Sequence, residues 1–154
     1  MTPEEMRALD ARVAGEVMSW TELTPPSPRA DGLSCSWRGK PKAATSTNYW
    51  VPCFCQEIEA AWRVVKQLRS EGWLVIVKEM PEGFPYLAGD DWTRDPKVHV
   101  RSYVSAQWMP LKTAEDCRRF VGLHPDGMGD SAPVAICRCA LRVRELTAKF
   151  GGDD

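Results

Sequence analysis

The stretch Gln56–Met80, QEIEAAWRVVKQLRSEGWLVIVKEM, holds the two periodicities on which the fold turns. Over Gln56–Ser70, Ile58, Ala61, Trp62, Val65 and Leu68 recur at three- and four-residue steps, while Glu57, Glu59, Arg63, Lys66 and Gln67 fall elsewhere. That spacing predicts an amphipathic helix. Gly72 stands where a left-handed residue would end it. Trp73, Val75 and Val77 then alternate with Leu74 and Ile76, apolar in both phases, which predicts a central strand covered on both faces.

Upstream, Thr2-Pro3-Glu4-Glu5 carries a capping threonine, a first-turn proline and a glutamate at capping-box spacing. Met6, Leu9, Val13, Val17 and Trp20 make one apolar stripe, so a helix is expected over about residues 3–18. Periodicity then vanishes until Pro52. Residues 21–52 collect Pro, Gly, Ser and Thr as a long irregular loop does, although Trp37, Tyr49 and Trp50 are more aromatic content than a disordered linker holds. Downstream, GFPYLAG suggests a short edge strand, GDDW a turn, and KVHVRSYVSAQW (Lys97–Trp108) a strand with Val98, Val100 and Val104 on one face and His99, Arg101 and Tyr103 on the other. Thr113–Val121 carries the signature of a short helix. The last helix opens at Asp130 or Ser131 and stops at Gly151, with Ile136, Cys137, Ala140, Leu141 and Val143 on a broad apolar arc and Arg138, Arg142, Glu145 and Lys149 opposite. Arg144 falls inside that arc, where its charge needs water or a partner.

With 154 residues, 44% hydrophobic and 27% charged, the chain suits one domain over residues 1–154. The class is α+β, a layered α/β/α sandwich with a small, mostly antiparallel sheet between helices. No apolar run approaches the ~20 residues of a membrane span. The first twenty residues read as an amphipathic helix rather than a secretory signal, so a cytoplasmic setting in the host cell is expected, with thiols reduced. A net charge of −1 gives no general attraction to nucleic acid. Most of the seven tryptophans are expected as core or interface rings.

Cysteines occur in closely spaced pairs, Cys53/Cys55 and Cys137/Cys139. Residues two apart on a helix point about 200° from one another, so Cys137 and Cys139 are poorly placed for one ion. The four thiols are read as small apolar core side chains. A metal site would have to join Cys53 and Cys55 to Cys35, Cys117, Cys137, His99 or His124. No metal and no cofactor is expected, and no nucleotide-hydrolase or dinucleotide phosphate loop occurs. The candidate binding residues are Trp37, Arg38, Lys40, Lys42, Tyr49 and Trp50, cations interleaved with aromatic rings in a segment without acids, and then His99, Arg101 and Tyr103 on one strand face. No residue is assigned as catalytic.

Three pieces, LDARVAGEVMSW (Leu9–Trp20), EIEAAWRVVKQL (Glu57–Leu68) and SAPVAICRCAL (Ser131–Leu141), together resemble the phage ABA-sandwich domain family, in the family's order. The resemblance implies a sheet layered between helices and carries no catalytic residues. The chain departs from the family at Phe54-Cys55-Gln56-Glu57, where Tyr-Ser-Thr-Asp is usual, and at Cys139, where alanine is usual. The resemblance implies a non-enzymatic phage or prophage accessory protein that binds a host protein or a small anionic or nucleotide ligand and counteracts host defence. The contrasting readings are a thiol- or zinc-dependent enzyme built on Cys53, Cys55 and a histidine, and a virion structural or assembly protein that self-associates.

Overall fold

Gly72 adopts φ 91°, a left-handed conformation that suits glycine. It joins α2 (Ile58–Ser70) to β4 (Trp73–Glu79) as the spacing predicts. The computed structural model describes residues 1–26, 37–46, 49–79, 86–88, 91–93, 98–104 and 124–150, with Glu79, the strand residues 86–88, 91–93 and 98–104, and Phe150 described by backbone alone. The chain runs α1 (Pro3–Arg12), a π-helical turn (Val13–Val17), β1 (Thr21–Thr24), β2 (Arg38–Lys40), β3 (Tyr49–Trp50), α2, β4, β5 (Tyr86–Ala88), β6 (Asp91–Thr93), β7 (Val98–Val104), β8 (Asp126–Gly129) and α3 (Ala132–Phe150). The expected short helix at 113–121 lies outside the described residues, as do Cys35, Cys117, Ala106 and Trp108.

The capping box of α1 forms: Thr2 Oγ1 accepts from Glu5 N–H at 3.2 Å, and Thr2 N–H donates to Glu5 Oε2 at 2.6 Å. The helix expected to 18 keeps its α form only to Arg12. There the winding loosens, with Met18 N–H reaching Val13 O at 3.0 Å and Trp20 N–H reaching Ala14 O at 2.9 Å. The wider turn still leaves Val13, Ala14 and Val17 fully buried. Side-chain spacing alone does not distinguish it from an α turn.

The principal sheet has the order β4-β7-β8 and is antiparallel throughout. β4 is therefore an edge strand among the described strands, and β7 is the central one. Trp73 is buried, and Val75 and Val77 pack against the helical core. On the opposite face Ile76 is 39% exposed and Lys78 is exposed. The expectation of a central strand, dry on both sides, is thus corrected: apolar alternation reports which side chains are greasy, not how many neighbours the backbone has. The fold is α+β, helices with a small antiparallel sheet. Among the described residues no helix is long and apolar enough to cross a membrane.

The segment expected as an irregular loop over 21–52 is also corrected. It contains a second antiparallel sheet of order β1-β2-β3, with a register irregularity in β1 at which Glu22 takes φ 53°. Strands of two to four residues, one of them bulged, are too short to register as alternation. Likewise Asp91 and Trp92, read as part of a turn, belong to β6, which pairs with β5 in a hairpin.

One core joins all layers. Val64, Leu68 and Ala61 of α2, Ile136, Cys137, Ala140 and Val143 of α3, Phe54 and Trp73 are among its buried members. Arg144 finds the partner its position demands: Nη2 donates to Glu71 Oε1 at 2.6 Å and to Val17 O at 3.1 Å.

Candidate functional site

The register of the small sheet brings the loop residues together. Arg38 pairs with Trp50, and Gly39 with Tyr49. The Arg38 guanidinium lies 4.0 Å from the centroid of the Trp50 ring, inside the range at which a cation is held by the ring quadrupole. Tyr49 and Trp50 are each 48% exposed. Lys40 ends β2, and Lys42 is exposed in the turn closed by Ala44 N–H on Pro41 O at 2.9 Å. Trp37 is the inward member, half-buried against the core, its carbonyl accepting from Val51 N–H at 2.8 Å. Arg38, Lys40 and Trp50 thus share one face of the small sheet, with Lys42 in the adjoining turn, while Tyr49 lies on the opposite face with Gly39 and Trp37 anchors the strand inward.

His99, Arg101 and Tyr103 lie in β7, in the other sheet. Register places His99 between Lys78 and Met128, Arg101 between Ile76 and Asp126, and Tyr103 opposite Leu74. The two candidate groups therefore belong to separate sheets.

Beneath the small sheet, a cleft of about 90 Å³ is lined by Arg7, Asp10, Trp37, Val51, Cys53 and Gln56. The sequence assigns Asp10 no role beyond the acidic character of an amphipathic first helix, yet it is only 5% exposed. Its Oδ1 accepts the backbone N–H of Cys55 at 2.7 Å, fixing α1 to the start of α2. The signal was available: Asp10 falls one turn after Met6 and three residues before Val13, inside the apolar stripe, as Arg144 does in α3. Burial raises the Asp10 carboxyl above its ordinary value, opposed by the hydrogen bonding to Cys55.

The thiols behave as core atoms. Cys55, Cys137 and Cys139 are buried and Cys53 is half-buried. Cys55 Sγ donates to Met6 O at 3.3 Å, and Cys139 Sγ lies 3.5 Å from Pro125 O. Burial raises the Cys55 and Cys137 thiols well above their ordinary value, and Asp10 adds to the rise in both. Cys53 is raised too, by burial and then by the Asp10 and Glu57 charges. An activated cysteine is shifted the other way. Among the described residues no three His, Cys, Asp or Glu side chains converge as a metal site would require.

The family model for the phage ABA sandwich domain matches residues 11–106, more than half of the chain. The chain belongs to the phage ABA-sandwich domain family. A crystal structure of a phage protein from Bacillus cereus is similar, with a TM-score of 0.52 at 20% identity, covering 92% of this chain and 91% of that one. At that identity the likeness concerns the fold. A comparison with curated proteins found no match. The span matched by the ABA-sandwich domain contains the whole basic and aromatic sheet, α2 and β4, and stops short of β8 and α3.

Asp10→Asn provides a test of the buried acid. A carboxyl raised in the folded state contributes stability that is fully present below its unfolded value and is lost as pH rises through the folded value. The asparagine amide oxygen can still accept from Cys55 N–H and carries no charge to bury. Relative to wild type, the variant is expected to gain stability as pH is raised from below 4 to 7. Paired thermal melts across that range check it, and a constant difference would contradict the assignment.

Proposed function

We propose that this chain is a non-enzymatic phage or prophage accessory protein whose small basic and aromatic sheet binds an acidic surface of a host protein. The observation carrying this reading is the Arg38 guanidinium stacked over the half-exposed Trp50 ring, with Lys40 on the same face and Lys42 in the adjoining turn. Trp, Tyr and Arg are the residues that dominate protein–protein binding energy. Cations around them favour an acidic partner and speed its approach. Masking a host effector in this way is a route to blunting host defence.

A small anionic ligand is the second reading, supported by the same cations. Small ligands favour concave sites of roughly 300–1,000 Å³. Of two clefts that reach Trp37, one holds about 90 Å³ and has a buried carboxyl in its lining, which is unfavourable to an anion, and the other, about 340 Å³, is lined mainly by Ala8, Ala11, Gly15 and Leu23, with its Arg12 already paired to Glu16.

The test is affinity capture from bacterial host lysate with wild type and with Arg38→Glu/Trp50→Ala, followed by mass spectrometry of proteins and of small molecules released on denaturation. A protein recovered by wild type and reduced at least about tenfold with the double variant is expected. Recovery of nothing, or of the same proteins equally by both, would refute the proposal. A patch-dependent small anion without a protein would favour the second reading.

A further inference from the structure

The outer flank of α2 is apolar where a solvent-facing helix would be polar. Ile58 and Trp62, one turn apart, are 44% and 46% exposed. They lie beside the buried arc of Ala61, Val65 and Leu68. On the other side of that arc, Gln67 donates to Glu71, which pairs with Arg144 of α3. α3 packs over β7 and β8, and α2 over β4. The flank carrying Ile58 and Trp62 therefore faces away from α3, outward past β4.

Among the described residues that side of the sheet is itself open. β4 has seven residues in unbroken register with β7 and pairs with no other described strand. Trp73–Val77 is apolar throughout, without proline, glycine or bulge, and Lys78 is the only positive charge on the strand. Natural edge strands are usually guarded by such features, and a long apolar edge without them is a template for pairing.

The charges on the same flank are self-complementary. Placing Ile58 at 0°, helical geometry sets Trp62 at about 40°, Lys66 at about 80° and Glu59 at about 100°, with Glu59 about 4.5 Å before Trp62 along the axis and Lys66 about 6 Å after it. A two-fold axis at Trp62 that brings a second α2 antiparallel stacks indole against indole. It sets Glu59 on the same side of the seam as Lys66 of the second copy and within about 1.5 Å of its height along the axis, with the two Ile58 side chains flanking the indoles on the other side. Both charges are exposed, and neither pairs with a described residue.

We propose that the outer flank of α2 and the open edge of β4 form an isologous interface with a second copy of this chain, centred on Trp62 and closed by two Glu59–Lys66 pairs. A surface that matches itself under a two-fold operation is what a closed dimer requires. The interface is independent of the basic and aromatic patch, which lies on the other sheet.

Sedimentation equilibrium of the full chain over about 1–200 µM tests it, with circular dichroism to confirm that each variant is folded. Wild type is expected to be dimeric at the upper end. Trp62→Lys is expected to be monomeric throughout. Lys66→Glu, which sets like charges against each other, is expected to weaken the dimer at least about tenfold, and Glu59→Lys/Lys66→Glu, which restores opposite charges, to return it to within about threefold of wild type. A monomeric wild type would overturn the proposal. So would a dimer indifferent to Trp62→Lys, or a charge swap that fails to rescue Lys66→Glu; the single and double charge variants leave Trp62 in place and test the interface separately from the loss of its ring.

Discussion

Gly127→Ala is expected to destabilise the protein by about 3 kcal/mol or more and to lower Tm by roughly 6–12 °C. β8 is the short strand over which the first turns of α3 lie. A methyl group built on Gly127 would fall well under 3.0 Å from Cys139 N and Ala135 O, and at 2.9 Å from Cys139 Cα. These are backbone atoms in the middle of a helix and cannot rotate aside as the tip of a side chain can. Relief requires α3 to lift from the strand, and α3 carries Ile136, Cys137, Ala140 and Val143 into the core. Gly15→Ala is the matched control: its methyl would meet only Leu23 Cδ1, at 3.0 Å, a side chain that can turn. Alanine's helical preference over glycine, about 0.5–1 kcal/mol, then offsets the crowding, and Tm should stay within about 2 °C of wild type. Thermal melts of the two variants separate the cases. Equal losses would mean that the approach of α3 to β8 is not the constraint described.

The same contrast shows what the chain makes legible. Gly72 follows an amphipathic helix and precedes an apolar run, so its left-handed conformation could be read in advance. Gly127 sits in Asp-Gly-Met-Gly, a string with no alternation, and its role depends on a helix that packs from above. Local propensity announces the first kind of glycine; only tertiary approach determines the second. The helices were readable because each repeats its apolar residues over several turns. The edge position of β4 was not, because both phases of Trp73–Val77 are apolar whether a helix, water or another chain lies against them. The candidate site was half legible: cations and rings stood out by composition within residues 37–50, whereas the sheet that stacks Arg38 on Trp50 consists of strands too short to show a period. Asp10 was missed for a different reason: it lies inside the apolar stripe of α1, but the group it bonds, the backbone N–H of Cys55, is brought to it only by the tertiary fold.

Arg144 sits inside an apolar stripe in the same way, and its removal should have the second-largest effect. The guanidinium joins three parts of the fold: it lies on α3, bonds Glu71 at the end of α2, and accepts the task of satisfying Val17 O where the π-helical turn ends. Arg144→Ala leaves Glu71 with Gln67 as its remaining described partner and orphans a carbonyl at a helix terminus. The two side chains are 25% and 26% exposed, between a surface pair of about 0–1 kcal/mol and a fully buried pair whose breakage costs about 3–5 kcal/mol. A loss of about 2 kcal/mol is therefore expected, with Tm falling by roughly 4–8 °C. The pair is not ideally satisfied, since Glu71 Oε2 and Arg144 Nε are buried and reach no partner. Replacing both residues with methionine removes the unpaired charge together with these orphaned atoms, so Glu71→Met/Arg144→Met should recover at least half of the loss. A double-mutant cycle built on Glu71→Met and Arg144→Met isolates that coupling. If the double variant is destabilised by the full sum of the single ones, Arg144 stabilises through its packing and its bond to Val17 O, and the charge pair contributes nothing of its own.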